Sequence, residues 1–161
     1  MKVKCRLFRE GEKSTTGDWV NIPSFLRVLN SEYFKNKLKR KVLIGSSSHE
    51  RRDVALADEK SIVPVADWLL ADGQAALAMT ECWWEEDTKS CWCVLEIFST
   101  EAGKDVKALI RDGVNLLPSV VFAVEDQDAH EMRIRDIMGV DLTTDPAFDT
   151  TMEIIEEDKV A

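Results

Sequence analysis

The sequence predicts an α+β fold: a small, mostly antiparallel β-barrel of about seven strands surrounded by a few helices. Three observations predict it. Short runs with apolar residues at alternate positions recur along the chain, as half-buried strands require. Leu77–Trp84 and Ser90–Phe98 are two such runs joined by the polar segment Glu85–Lys89, the pattern of a hairpin. Only two or three segments carry the three-to-four apolar spacing of helices, which fits helices packed outside a curved sheet.

In chain order, Val3, Cys5 and Leu7 alternate along a first strand, Val3–Arg9, and Glu10–Asp18 is turn-like. Ile22–Leu29 reads as a helix because Pro23 sits where a first turn tolerates it. Phe25, Leu26 and Leu29, then Tyr33, Phe34 and Leu38, form a helical stripe broken near Asn30-Ser31. Lys41–Gly45 is a short strand leading into the polar loop Ser46–Asp53. Ile62–Leu70 reads as extended, with Pro64 marking an edge or bulge, and Ala71–Gln74 as a turn. Beyond the hairpin come a helix over Glu101–Asp112 closed by Gly113, and an apolar strand beginning at Ser119 and running to Glu125. Asp126–Ala129 is a turn, Glu131–Thr143 is extended, Asp145-Pro146 turns again, and Met152–Ile155 is a last strand. Residues 1–155 form one domain and residues 156–161 a flexible acidic tail.

The 161 residues suffice for one domain with a proper core. Their 45% apolar and 32% charged content is that of a globular chain and not a disordered one. No apolar run approaches the ~20 residues that span a bilayer, and the basic start Met1–Arg6 is not followed by an apolar signal core. No membrane contact and no export are therefore expected. The four cysteines are expected to stay reduced in a cytoplasm. A net charge of −9 repels phosphate and argues against nucleic acid as a partner. The charge is uneven: Lys35–Lys41 is basic and Glu153–Asp158 acidic. The basic run reads as a solvated helix face, or else as a patch that meets an acidic partner.

No phosphate loop, dinucleotide glycine fingerprint, His-Glu-x-x-His helix or Gly-x-Ser-x-Gly elbow occurs. Two residues attract attention instead. Ser119 places a hydroxyl at the mouth of an apolar strand, and His49, one of two histidines, lies in the polar loop 70 residues earlier. A serine hydroxyl is a weak nucleophile until a base takes its proton, and imidazole is the usual base. Both residue types also occur as ordinary strand and loop residues. A carboxylate that orients the imidazole has two candidates, Asp53 and Asp141. Asp141 interrupts the apolar pattern Val140-Asp141-Leu142, and a carboxylate there must be exposed or paired. His130 follows an acidic turn and reads as a solvent histidine. Cys82, Cys91 and Cys93 raise the idea of a zinc site, but the spacing with two intervening residues is missing, so buried thiols against Trp83, Trp84 and Trp92 are favoured. Such an aromatic hairpin also suits a subunit contact.

The order of these features resembles the phage prohead (head maturation) serine proteases of the herpesvirus assemblin-like clan. The Gly-x-x-x-His loop of those families is matched by Gly45-Ser46-Ser47-Ser48-His49-Glu50-Arg51. Their strand-to-helix segment is matched by Glu96-Ile97-Phe98-Ser99-Thr100-Glu101-Ala102-Gly103-Lys104, and their nucleophile strand by Leu116-Leu117-Pro118-Ser119-Val120. Their last strand end is matched by Asp141-Leu142-Thr143-Thr144-Asp145-Pro146-Ala147-Phe148. The resemblance covers Val42 to Phe148. It implies a small β-barrel ringed by helices and a serine endopeptidase that cleaves viral scaffold or core and major capsid proteins inside the immature head. It further implies Ser119 as nucleophile, His49 as base and Asp141 as orienting acid, with no metal or cofactor. Autocleavage and self-association inside the head, in the host cytoplasm, follow from the same likeness. Pro118 departs from the small residue usual before the serine, and Val120 and Val121 replace a second serine and an arginine. Oxyanion stabilisation is then expected from Arg133 or Arg135 or from backbone N–H groups after Ser119. A non-catalytic capsid or tail assembly protein on the same barrel is the alternative.

Overall fold

A computed structural model of the chain describes residues 1–47 and 65–159. The described residues form eight strands and four helices. In order these are β1 (Lys2–Arg9), β2 (Trp19–Val20), α1 (Ile22–Leu29), α2 (Glu32–Arg40), β3 (Ile44–Gly45), α3 (Val65–Ala71), β4 (Leu77–Glu85), β5 (Ser90–Ile97), α4 (Glu101–Arg111), β6 (Leu117–Asp128), β7 (Glu131–Thr143) and β8 (Thr151–Glu156). None of these helices is long and apolar enough to cross a membrane.

The strands lie in two sheets, of order β3-β4-β5-β1-β8 and β2-β7-β6. Every pairing is antiparallel except β2 with β7. The expected α+β class with mostly antiparallel strands is thus observed, but among the described residues no ladder closes the two sheets into a barrel. β6 ends its sheet, and its second residue is Pro118, which has no N–H to give a further neighbour. β8 ends the other sheet and packs near β6 without a ladder.

Alternation in β1 works as the sequence requires. Val3, Cys5 and Leu7 are buried while Lys2, Lys4 and Arg6 face outward. A register slip between Arg6 and Phe8 against β5 then turns Phe8 inward beside Leu7. Phe8 becomes the centre of the core. Its ring meets Phe25 of α1 edge-on at 5.0 Å, Phe122 of β6 at 5.8 Å and Phe148 at 5.8 Å. Burying one such ring stabilises by about 1.5–3 kcal/mol, and its edge contacts add to that.

The break between the first two helices is a capping event. Asn21 caps α1 by accepting from the Ser24 amide at 2.9 Å. Ser31 caps α2 by accepting from the Phe34 amide at 3.2 Å. Lys41, in the left-handed region at φ 55°, ends α2 and turns the chain into β3.

Three expectations need correction. Residues 65–71 are helical, not extended, while residues 62–64 lie outside the described residues. A proline just ahead of Val65 in the sequence suits a helix start as well as a strand edge. Asp67 in the first turn favours the helix through its dipole, and Ala66 and Leu69, three apart, pack with Ile44 and Ala75. Second, β6 begins at Leu117 and runs to Asp128, so Ser119 is its third residue and not its first. Third, the expected turn over residues 126–129 shrinks to Ala129-His130, because Asp128 pairs with Glu131 and Ala129 adopts φ 56°. The expected β4–β5 hairpin, by contrast, is observed from Leu77↔Ile97 to Glu85↔Ser90, with one slip between Met79 and Glu81 and a loop that begins after Glu85 and not at it.

At the far side of the large sheet, Asp158 gathers three cations. Its carboxylate lies 2.6 Å from the Met1 ammonium, 2.9 Å from Lys107 Nζ and 3.2 Å from Arg111 Nη2. Hydrogen bonds from the Met1 ammonium and from Lys107 hold its carboxyl well below the usual carboxylate range. A group with a depressed folded-state pKa stabilises above the ordinary carboxylate value of about 3.9 and loses that effect as pH falls through its folded value. Asp158→Asn should therefore lower the melting temperature by a constant amount from about pH 5 to pH 7, with the gap closing below about pH 4. Thermal melts across this range test it; a gap that persists unchanged into strong acid would contradict the linkage.

Candidate active site

Ser119 and Asp141 stand directly opposite one another, β6 against β7. Directly paired residues of antiparallel strands project to the same face, about 4.5–5.5 Å apart at Cβ. Both are buried, Ser119 at 3% and Asp141 at 0% exposure. The sequence expectation that a carboxylate inside this apolar strand must be paired is met: Asp141 Oδ1 accepts the Ser46 amide at 2.9 Å. Asp141 also makes a further interaction beyond this bond.

Ser46 is itself fully buried and is bound twice to β7. While its N–H reaches Asp141, its carbonyl accepts the Leu142 N–H at 2.9 Å. The residue before it explains how the backbones come this close. A Cβ on Gly45 would collide with the Val140 carbonyl oxygen and with Leu77 Cδ1. Only glycine lets β3 lie against β7 here. On its other side β3 is held by β4, through Met79 N–H to Leu43 O at 3.1 Å and Ala76 N–H to Gly45 O at 3.0 Å.

The described start of the polar loop, at Ser46, is thus clamped against Asp141. His49 is three residues beyond Ser46 and lies outside the described residues, as do Glu50, Arg51 and Asp53. The described part of the triad expected from the sequence is therefore Ser119 and Asp141, brought together, with the loop stem at the same point.

The segment Ser99–Lys104 proves to be an architectural joint. Thr100 caps α4, accepting from the Gly103 amide at 3.0 Å, and donates its hydroxyl to Ala75 O at 2.7 Å. A Cβ on Gly103 would strike Phe98 O and Ala76 O. These residues fasten α4 to the ends of β4 and β5.

Arg133 and Arg135 are not oxyanion donors for Ser119. Arg135 lies six residues from Asp141 along β7, roughly 20 Å at the rise of a strand. Both alternate with buried Ile134 and face solvent. His130 is largely exposed, but it is tied to Asp18 Oδ1 through Nδ1 at 2.9 Å, so it braces the 10–18 turn.

The thiols occupy one interior row: Cys5 opposes Cys93, and Cys93 opposes Cys82, across β1, β5 and β4. Cys82 Sγ lies 3.7 Å from Cys91 Sγ, and all four are free. Burial pushes the Cys91 and Cys93 thiols up, which keeps them protonated and poor as metal ligands. Among the described residues no group of three or more His, Cys, Asp or Glu side chains is arranged to hold a metal ion. Trp83 and Trp92 oppose each other on the outer face of the hairpin, with Lys4 Nζ 5.7 and 4.9 Å from their rings.

No family model matches the chain, and no curated protein matches it either. Among solved structures, the chain is similar to the bacteriophage T4 capsid assembly protease, with a TM-score of 0.44 and 13% identity over 86% of this chain and 76% of that one.

The clamp makes two predictions. Gly45→Ala should destabilise by about 1–3 kcal/mol, because backbone on one side and a core leucine on the other leave no room. Asp141→Ala should cost about 1.5–3 kcal/mol by orphaning the buried Ser46 amide. Urea unfolding measures both; variants as stable as wild type would show that the clamp is not structural.

Proposed function

We propose that this chain is a serine endopeptidase of viral prohead maturation, cutting scaffold or core and major capsid proteins inside the immature head. The observation that carries the reading is the direct opposition of Ser119 and Asp141, with the Asp141 carboxylate gripping the stem of the loop that bears His49. The motif order from Gly45 to Phe148 supports the same reading.

In this mechanism His49 takes the Ser119 proton as Oγ attacks the scissile carbonyl. The tetrahedral oxyanion collapses to an acyl-serine as His49 returns that proton to the leaving amine. Water, deprotonated in turn by His49, attacks the acyl carbon and releases the new carboxyl end and the serine hydroxyl. Asp141 fixes the loop stem and, through it, the position of the imidazole; in the triad it also favours the productive tautomer. Backbone N–H groups following Ser119 serve the oxyanion, since the arginines of β7 are too distant.

Substrate binds as an extended segment. Among the described residues β6 has a ladder on one side only, so its other edge suits strand addition next to Ser119. In this reading the two sheets work as one barrel joined at the Ser46–Leu142 bond. Packing at high local concentration inside the head favours self-association and cutting of its own chain.

Incubating wild type and Ser119→Ala with the scaffold protein tests the assignment. Loss of fragmentation by at least about 10³-fold is expected. A fluorophosphonate should label wild type at Ser119 and leave the variant unlabelled. Equal fragmentation by both proteins, or no labelling of active wild type, would refute the nucleophile. Absence of both cleavage and labelling would favour the non-catalytic assembly role.

A further inference from the structure

A cationic groove runs along the outer side of α1 and β7. α1 takes over the edge of β7 where the short β2 ends, and the Ser24 hydroxyl accepts the Ile134 amide at 2.9 Å. Outside this contact lie two adjoining clefts of about 450 and 420 Å³, both bordered by Arg27. Arg133 lines the first and Arg135 the second, with Tyr33 beside it. Pro23 and Val28 add apolar surface to the lining.

The cations here outnumber their partners. Glu125 meets Arg27 at 3.6 Å and Glu131 meets Arg133 at 3.8 Å, both long contacts between exposed groups that water weakens. Asp136 is taken by Lys37 at 3.3 Å, and Lys37 also lies 4.3 Å from the Tyr33 ring. Arg135 has no ion-pair partner among the described residues. Tyr33, at 65% exposure, is the most open large hydrophobic side chain among them. In a chain of net charge −9, this groove brings four cations together, with Asp126 opposite Arg133 in the β6–β7 ladder.

We propose that the groove docks an extended acidic peptide. Arg133 and Arg135 flank buried Ile134 on β7 and are both exposed, Arg135 at the slip in register where Asp136 pairs with Ala123 and Ile134 with Val124. Carboxylates spaced along an extended peptide can reach both guanidinium groups, one in each cleft. The tyrosine and the apolar lining take the intervening stems. A nucleic acid fits less well, because the acidic remainder of the surface repels a long polyphosphate. As a docking point for substrate, roughly 20 Å along β7 from Asp141, the groove rests on the protease reading; as a peptide site it does not.

The test uses the full chain carrying Ser119→Ala, so that binding is read without cleavage. Fluorescence anisotropy follows a labelled short peptide of alternating Glu and Ser, its Lys-Ser counterpart, and a short oligothymidylate. The Glu peptide should bind, weaken as salt rises to about 0.3 M, and lose about tenfold or more in affinity when Arg133→Glu and Arg135→Glu are combined. Tyr33→Ala should weaken it too, with circular dichroism unchanged in both variants. No binding of the Glu peptide, equal affinity in the arginine variant, equal binding of the Lys peptide, or tighter binding of the oligothymidylate would each overturn the proposal. Scaffold cleavage by wild type is assayed separately, so either idea can fail alone.

Discussion

The approach of β3 to β7 is the constraint on which the remaining architecture rests. Two sheets that share no ladder among the described residues are sewn together where Gly45 lies against Val140 and where Ser46 exchanges bonds with Asp141 and Leu142. A backbone amide and a backbone carbonyl buried at such a junction need partners, since each orphan costs about as much as a lost hydrogen bond. Asp141 satisfies the one and Leu142 the other. The junction therefore favours a residue lacking Cβ at position 45 and a side-chain acceptor at position 141.

Under the proposed function, structure and chemistry fall in the same few atoms. The carboxylate read from the sequence as a partner for an imidazole is also a structural brace for the loop stem. Ser119 sits opposite it because the β6–β7 ladder is in register through both positions, from Leu117↔Thr143 to Val121↔Gly139. Any change that slips this register by one residue would send the hydroxyl to the other face of the sheet.

Much of this was legible in the sequence because it is local. The β4–β5 hairpin, the α1–α2 break at Ser31 and the α4 boundaries follow from alternation, capping residues and a closing glycine. What failed was decided by non-local packing or by ambiguity of period. Residues 65–71 are apolar in a run too short to separate strand from helix, and their contact with Ile44 and Ala75 settles it. Barrel closure could not be read, since it depends on how edges meet in space. Pairing of Asp141 followed from the cost of burying charge, but its partner, a backbone amide 95 residues away, left no mark except the glycine before it. Arg133 and Arg135 sit on the right strand for an oxyanion role, yet their distance along it rules that out.

The order in which strands become neighbours also bears on how the chain folds. β1 lies inside the large sheet, flanked by β5, whose partner residues are 90–96, and by β8, at 151–156. A strand that precedes both of its partners in the sequence is thus enclosed only after they are made. Contacts between such remote positions carry a large loop-closure entropy before they stabilise anything, and chains dominated by them fold slowly. Until β8 arrives, one side of β1 presents unpaired backbone to the solvent, which makes the nascent or partly unfolded chain prone to pairing with a stranger.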